Sequence, residues 1–326
     1  MNKTKSFDYG LFMRKYGMGL VLILLLIVGT ILKPGIFLTY DNLISVAVQI
    51  SMTVILTCGI CPLLIEGSND LSAGSVVALT GTVMVGFYNE THSILVSLLI
   101  ACVVGMAIGF INGFCIAQFS LPAFIITLGT QILARGLALL YGNGMPIPVD
   151  GTTFKMLGQG KLFGVMPYPV LVAIGAAVLS SVLLGCTTYG RAIYAIGGNQ
   201  EAARASGIKV KKTIIISHIY SSFLTAITGY VLASRTNVGQ PSAGVNYEFD
   251  AIIGAVLGGT SFSGGIGTIG GAIIGCAVMG ILANIQNLMG VSPYLQYVIK
   301  GIVIIAAVIF DYVTRSLSTK AITKAS

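Results

Sequence analysis

The sequence carries little charge and no tryptophan. Only 9% of its 326 residues are charged and 55% are hydrophobic, whereas soluble domains carry roughly 25% charged residues. A water-soluble fold with this composition would expose too much apolar surface to remain in solution. Apolar runs of spanning length recur from Gly17 to Tyr312 without a polar domain between them. We therefore predict a single membrane-embedded domain over residues 1–326, in contact with membrane lipid.

Residue types that carry enzyme chemistry are also scarce. The sequence has two histidines and no cluster of histidines or paired carboxylates, so no pattern predicts hydrolysis, a catalytic residue or a metal site. No Gly-x-x-x-x-Gly-Lys-Ser/Thr motif occurs, which excludes the phosphate-binding loop of an ATPase from this chain. We expect that the protein is not an enzyme, binds no metal or cofactor itself, and takes energy from a partner chain.

The cysteines do not predict a redox or metal site. Cys58 and Cys61 have a Cys-x-x-Cys spacing, but they lie inside an apolar run and no second pair accompanies them. We interpret both as buried packing residues.

Helices of spanning length dominate the pattern. A helix needs about 20 mainly apolar residues to cross roughly 30 Å of hydrocarbon, and the sequence predicts an all-α, polytopic membrane protein with about ten transmembrane helices. The predicted spans are residues 17–32, 43–65, 71–87, 93–117, 121–141, 169–185, 213–233, 249–260, 268–289 and 295–312. The eighth span is short and runs into the glycine-rich sequence 258–265, which predicts a broken or re-entrant segment.

The net charge of +8 is distributed in a way that predicts membrane orientation and no nucleic-acid partner. With the N-terminus inside, twelve of the eighteen lysines and arginines lie in cytoplasmic segments, four lie outside, and Arg135 and Lys300 fall within spans. Cytoplasmic loops hold the excess of these residues, so both termini are predicted to be cytoplasmic. The predicted cytoplasmic parts are residues 1–16, the loop 187–212 and the tail 313–326.

The loop 187–212 has an internal helix signal. Gly197 and Gly198 predict a flexible break, Asn199 is a good N-cap, and Gly207 a good C-cap for a short helix over residues 200–205. A rigid helix between two spans is suited to receive force from a separate motor protein. The alternative is an ordinary basic loop that is helical by composition.

Five stretches of the sequence resemble one transporter family, in the same order along nearly the whole chain. They are residues 70–81, the loop 195–203 with 206–208, and residues 247–252, 257–265 and 290–297. The chain resembles the permease subunits of bacterial ATP-binding-cassette (ABC) importers for ribose, galactose and xylose, and is most similar to ribose permeases. It departs from the pattern at Glu66-Gly67-Ser68-Asn69, where family members usually have an apolar residue before the Asp-Leu-Ser element.

The resemblance implies a permease of the bacterial inner membrane that passes a monosaccharide, ribose or a related pentose or hexose, from an external sugar-binding protein into the cytoplasm. It implies three partners: an ABC ATPase that binds ATP and Mg²⁺, the sugar-binding protein, and a second permease copy, with a homodimer expected. The residues expected to contact the ATPase are Gly197, Gly198, Asn199, Glu201, Ala202, Ala203 and Gly207. The alternatives are an ion-gradient-driven transporter of a small polar solute, or an ABC permease for a solute other than a sugar.

Polar residues within the spans supply candidates for the substrate path. A charged side chain at membrane depth costs roughly 2.5–3.5 kcal/mol on insertion scales, so we predict that Asp250 pairs with Lys300; snorkelling of Lys300 to the interface is the alternative. Hydroxyl and amide groups suit a sugar path. The candidates are Gln49, Asn69, Ser72, Asn112 and Asn284.

Two of these asparagines also suggest an internal repeat. Asn112 and Asn284 are each followed by a serine and then a glycine at the same steps: Ser120 and Gly129, Ser292 and Gly301. In the predicted topology the two copies run in opposite directions, as in an inverted repeat. Hydrogen bonding between helices is the alternative role for each asparagine. Arg135 is placed towards the channel mouth and His218 near the inner interface.

Overall fold

The computed structural model describes the backbone of residues 9–325 and the side chains of residues 17–309. The helices are α1 Tyr9–Leu32, α2 Tyr40–Glu66, α3 Ala73–Thr91, α4 Ile94–Phe119, α5 Ala123–Tyr141, α6 Met156–Gln159, α7 Tyr168–Cys186, α8 Thr188–Gly198, α9 Gln200–Ala205, α10 Val210–Thr236, α11 Tyr247–Leu257, α12 Ile269–Leu288 and α13 Pro293–Ala325. The prediction of an all-α fold needs a small correction, because four two-residue strands also form within residues 9–325. These are β1 Ile147–Pro148, β2 Lys161–Leu162, β3 Met166–Pro167 and β4 Val238–Gly239.

Each predicted span coincides with one helix of the structure. Among the described residues, six helices are long and apolar enough to cross a membrane: α2, α4, α5, α7, α10 and α12. Residues 17–32 of α1 and 293–309 of α13 form shorter apolar helices. The protein is therefore helical and multi-pass, whereas ten crossings and the cytoplasmic termini stay predictions. Of the predicted terminal segments, residues 1–8 and Ser326 lie outside the described residues, and α1 and α13 cover the rest.

Helix α2 forms the centre of the bundle. Its second half is continuously buried from Val54 to Glu66, and it packs against α7, α10, α11 and α12. Cys58 and Cys61 lie in the large hydrophobic cluster around α2, and neither thiol is in a disulfide. This is expected for packing residues. The burial of this helix on all sides explains why its sequence is apolar all round rather than striped.

Close helix packing depends on small residues. Gly105, Gly109 and Gly113 recur at every fourth position of α4, and a Cβ at each would meet the backbone of α10. Residues four apart share one helix face, so the three glycines form a single stripe. This stripe lets α4 lie directly on α10, the usual packing of membrane helices.

Two helices are interrupted inside the bundle. Helix α2 ends at Gly67, whose φ is +86°, and the following link 67–72 is non-helical although Ser68, Asp70 and Ser72 are all buried. Helix α11 has only 11 residues, and the link 258–268 after it contains three glycines with positive φ. The predicted break of the eighth span is therefore present. Non-helical backbone at this depth requires protein or water to satisfy its polar groups.

Strands β1, β2 and β3 belong to the segment between α5 and α7, and β4 follows α10. Strand β1 pairs antiparallel with β4, and β2 pairs with β3. Phe154 is completely buried, with its ring 4.8 Å from that of Tyr88 and 5.4 Å from that of Tyr230, measured between centroids. These contacts fix the segment 142–167 across the C-terminal ends of α3 and α10.

The two Asn-Ser-Gly copies occupy comparable places. Each runs through two consecutive helices with a short connection, α4–α5 and α12–α13. Helix α12 lies antiparallel to α2, because Cys276 contacts Thr57 and Asn284 contacts Asn42. Helix α10 also lies antiparallel to α2, and α4 lies antiparallel to α10. Helices α4 and α12 therefore run in opposite directions, the relation that an inverted repeat requires.

Candidate functional site

The loop 187–212 folds into two short helices. Thr187 caps α8, accepting a hydrogen bond from the Gly190 N–H at 3.0 Å. Asn199 ends α8 and caps α9, accepting at Oδ1 from the Ala202 N–H at 2.9 Å. Helix α9 covers Gln200–Ala205, the range predicted from the sequence. Gly207 follows it with φ of +82°, a conformation that glycine adopts without steric cost.

The prediction that Gly197 and Gly198 form a flexible break is wrong. Both residues belong to the last turn of α8. A Cβ at Gly197 would collide with the carbonyl oxygen of Ile65 and the backbone nitrogen of Gly265, whereas one at Gly198 would meet nothing within 4 Å. Gly197 is therefore a close-contact residue that lets α8 lie against the end of α2.

The end of α8 meets the end of α2 and the link 258–268. The Gly265 N–H donates to the carbonyl of Ile65 at 2.8 Å, and the Tyr194 hydroxyl donates to the carbonyl of Gly267 at 2.7 Å. Burial raises the pKa of the Tyr194 phenol, so this group keeps the proton that it donates. Helix α8 is thereby in direct contact with both the end of α2 and the link 258–268.

Helix α9 presents a small exposed surface. Glu201 and Arg204 form an exposed ion pair at 3.3 Å, with 76% and 54% of their side chains accessible. Ala202 is also exposed, while Ala203 is buried in a cluster with residues of α4 and α10. The buried alanine fixes the helix to the bundle, and the exposed residues remain free for a partner.

Three of the five predicted path residues lie in one buried network around the link 67–72. The Asn112 amide donates to Ser72 Oγ at 3.1 Å, and Thr130 donates to Asn112 Oδ1 at 2.8 Å. Ser72 donates in turn to Asp70 Oδ1 at 2.5 Å. Asn69 joins through its carbonyl, which accepts from Thr127 at 3.4 Å.

Sequence reasoning missed other buried members of this region. Ser217 donates to Glu66 Oε2, and Ser68 Oγ lies 3.3 Å from His218 Nε2. His218 is completely buried in the protein, and its position near the inner interface stays a prediction. Glu66 Oε1 has no hydrogen-bond partner among the described residues. The sequence feature that pointed to this region was the polar run 66–70, which differs from the family pattern.

A third buried carboxylate, after Asp70 and Glu66, lies where α3 begins. Glu248 accepts at Oε1 from the Gln131 amide at 3.2 Å, and its Oε2 packs on Gly74. Arg135 donates from Nη1 to the carbonyls of Pro241 and Ala243, both at 2.7 Å. Arg135 holds the segment before α11 against α5, and its position towards the channel mouth stays a prediction.

The remaining predicted residues lie elsewhere. Lys300 Nζ is 2.6 Å from Asp250 Oδ1, so the structure brings this predicted pair together. Gln49 and this ion pair line one cavity between α2, α11, α12 and α13. Asn284 is not among the lining residues of that cavity and exchanges two amide hydrogen bonds with Asn42, at 2.9 and 3.1 Å. The five path residues thus fall in three places.

Comparison with known proteins supplies the family. A family model described as the permease component of branched-chain amino acid transport systems matches residues 42–308. The chain belongs to this permease family. The permease is 38% identical over 306 residues to the L-arabinose transport system permease protein AraH of Escherichia coli, covering 94% of this chain and 93% of that protein.

Ribose proteins are similar over the same length. The permease is 40% identical over 301 residues to the ribose import permease protein RbsC of Bacillus subtilis, covering 92% of this chain and 93% of that protein. It is also 40% identical over 296 residues to the Escherichia coli protein of that name, covering 89% and 91%. No solved structure matches the permease significantly. Family membership and the apolar helices place it in the inner membrane as a multi-pass protein.

Proposed function

We propose that this chain is the membrane permease of a binding-protein-dependent ABC importer for a monosaccharide, with ribose or L-arabinose as the first candidates. The relatives at 38% and 40% identity, aligned along about nine tenths of each chain, are named for L-arabinose and ribose transport. The family description names branched-chain amino acids instead. The full-length relatives favour a sugar.

The geometry of α8 and α9 supports coupling to a separate ATPase. Helix α9 offers an exposed docking surface, and Gly197 places α8 against the end of α2 and the link 258–268. The partner ATPase would bind ATP with Mg²⁺, and this chain would supply no catalytic residue. Closure of the ATPase would push on α9, and α8 would carry the displacement into the bundle.

Substrate movement follows from that displacement in the proposed cycle. A sugar-loaded binding protein docks on the segments 142–168 and 235–247, which the predicted topology places outside. Two permease copies then alternate between outward and inward openings, and the sugar is released into the cytoplasm. A homodimer supplies the two membrane subunits that this type of importer requires.

Reconstitution tests the proposal. We expect that proteoliposomes containing the permease, its ATPase and a ribose- or L-arabinose-binding protein accumulate that sugar only when ATP is present on the ATPase side. Ionophores that collapse proton and sodium gradients should leave the rate unchanged, and an ATPase lacking its phosphate-loop lysine is the negative control. Uptake driven by an ion gradient without ATP would assign the buried Glu66, Asp70 and Glu248 to ion coupling and overturn the proposal.

A further inference from the structure

A polar cavity lies between α2, α11, α12 and α13. Its volume is about 220 Å³, far above the roughly 10–15 Å³ that a single water occupies and below the roughly 300–1,000 Å³ of pockets for drug-sized ligands. It is therefore on the scale of a small solute. The lining includes Gln49 from α2, Asp250 from α11, Gln286 from α12, and Tyr297 and Lys300 from α13.

Two amide side chains in this cavity are free. The side chains of Gln49 and Gln286 have no hydrogen-bond partner among the described residues, although both are half-buried. The amides of Asn112 and Asn284, by contrast, are engaged with neighbouring side chains. An unpaired amide offers both a donor and an acceptor, the combination that a sugar hydroxyl uses.

The ion pair argues against a cavity that faces lipid. Asp250 and Lys300 retain 24% and 26% of their side-chain accessibility, although each belongs to an apolar helix of the bundle. Charged groups exposed to hydrocarbon are costly, so charged residues inside membrane proteins face water or a pathway. The exposed part of this pair therefore borders water or a polar solute.

The remaining groups match the chemistry of a monosaccharide. The Asp250 carboxylate accepts hydrogen bonds and the Lys300 ammonium donates them, so the pair can bind two neighbouring hydroxyls. Lys300 Nζ also lies 6.0 Å from the centre of the Tyr297 ring, which brings an aromatic face to the same cavity. Aromatic rings pack against the apolar C–H face of a sugar by the same burial that drives other apolar contacts.

We infer that this cavity is a binding subsite for a monosaccharide in the permease, with Gln49, Gln286 and the Asp250–Lys300 pair as the hydroxyl-binding groups. This inference rests on the proposed function. Gln49 lies near the start of α2 and Gln286 near the end of α12, so the subsite belongs to the half of the bundle that is predicted to face outside. Few direct polar groups give weak binding, which suits a site that must release its sugar.

Filling the cavity tests the inference in the reconstituted complex. We expect Gln49→Trp to lower ATP-driven D-ribose or L-arabinose uptake by at least about tenfold while binding-protein-stimulated ATP turnover persists. Leu43→Trp is the matched control, because Leu43 is exposed on the same helix, and it should transport as the unmodified complex does. Failure of the unmodified complex to import either sugar would count against the proposed function; normal uptake by Gln49→Trp would overturn the subsite alone.

If Gln49→Trp loses ATP turnover as well as uptake, a thiol-labelling measurement tests the subsite. We expect saturating D-ribose or L-arabinose to slow the reaction of Gln49→Cys with a small charged thiol reagent by about threefold or more. The modified residue is identified by mass spectrometry, so the native cysteines can remain. Protection at this position supports the subsite, whereas an unchanged rate means that the cavity holds water only and overturns it.

Discussion

Replacing Gly197 with alanine is expected to lower ATP-driven sugar uptake by about tenfold or more, whereas Gly198→Ala should remain within about twofold of the unmodified complex. The added Cβ at Gly197 collides with the Ile65 carbonyl and the Gly265 nitrogen, and these two groups are hydrogen-bonded to each other. Helix α8 must then move away from α2. At Gly198 the same Cβ meets nothing within 4 Å.

The proposed coupling role predicts which activity Gly197→Ala loses. Basal ATP turnover by Gly197→Ala should persist, while its stimulation by the sugar-loaded binding protein falls, because the ATPase itself is intact but its motion no longer reaches the bundle. Uptake and ATP turnover are measured in the same proteoliposomes. Equal uptake by the Gly197 and Gly198 variants would show that the close contact of α8 has no part in transport.

Gly74→Ala is expected to destabilise the permease by about 1–3 kcal/mol, the usual cost of overpacking. The added Cβ would meet Glu248 Oε2 and the carbonyl of Gly244. Glu248 is fully buried and held by Gln131, so it cannot move aside without losing that hydrogen bond. The start of α3 and the start of α11 would separate, and the thermal unfolding midpoint in lipid nanodiscs should fall by several degrees.

Gly129→Ala provides the matched control. Gly129 lies within α5 and a Cβ there meets nothing within 4 Å. Since alanine in a helix interior is favoured over glycine by roughly 0.5–1 kcal/mol, this variant should unfold at the same temperature or slightly higher. A midpoint for Gly74→Ala that equals that of Gly129→Ala would contradict the packing described at Glu248.

Features set by local sequence could be predicted. The spans followed from apolar length, and α9 followed from Asn199 and the alanines after it, because capping and helix propensity act over a few residues. The close contact of α8 at Gly197 could not be predicted, because its neighbours Ile65 and Gly265 lie far away in the sequence. From the sequence alone, a glycine in a loop is interpreted as flexible, because its neighbours in the fold are not known.

The buried polar groups were harder to place for a similar reason. Residues at a predicted span end were interpreted as interfacial, and the polar run 66–70 marked Glu66 as unusual without showing that it and His218 are buried. Their burial depends on the non-helical link 67–72, which brings Ser68 against His218. Among the path residues, Ser72 and Asn112 form one network, whereas Asn284 binds Asn42 on a helix 242 residues away in sequence. Composition identifies such polar residues but does not pair them.

The side of the membrane on which α9 lies tests the central claim most directly. Glu201→Cys, in an exposed position of α9, should react with a membrane-impermeant maleimide only in inverted vesicles. Phe163→Cys, at a residue 92% exposed in the segment 142–167, should react only in intact spheroplasts. Labelling of Glu201→Cys in intact spheroplasts would place α9 outside, out of reach of any cytoplasmic ATPase, and would contradict the account.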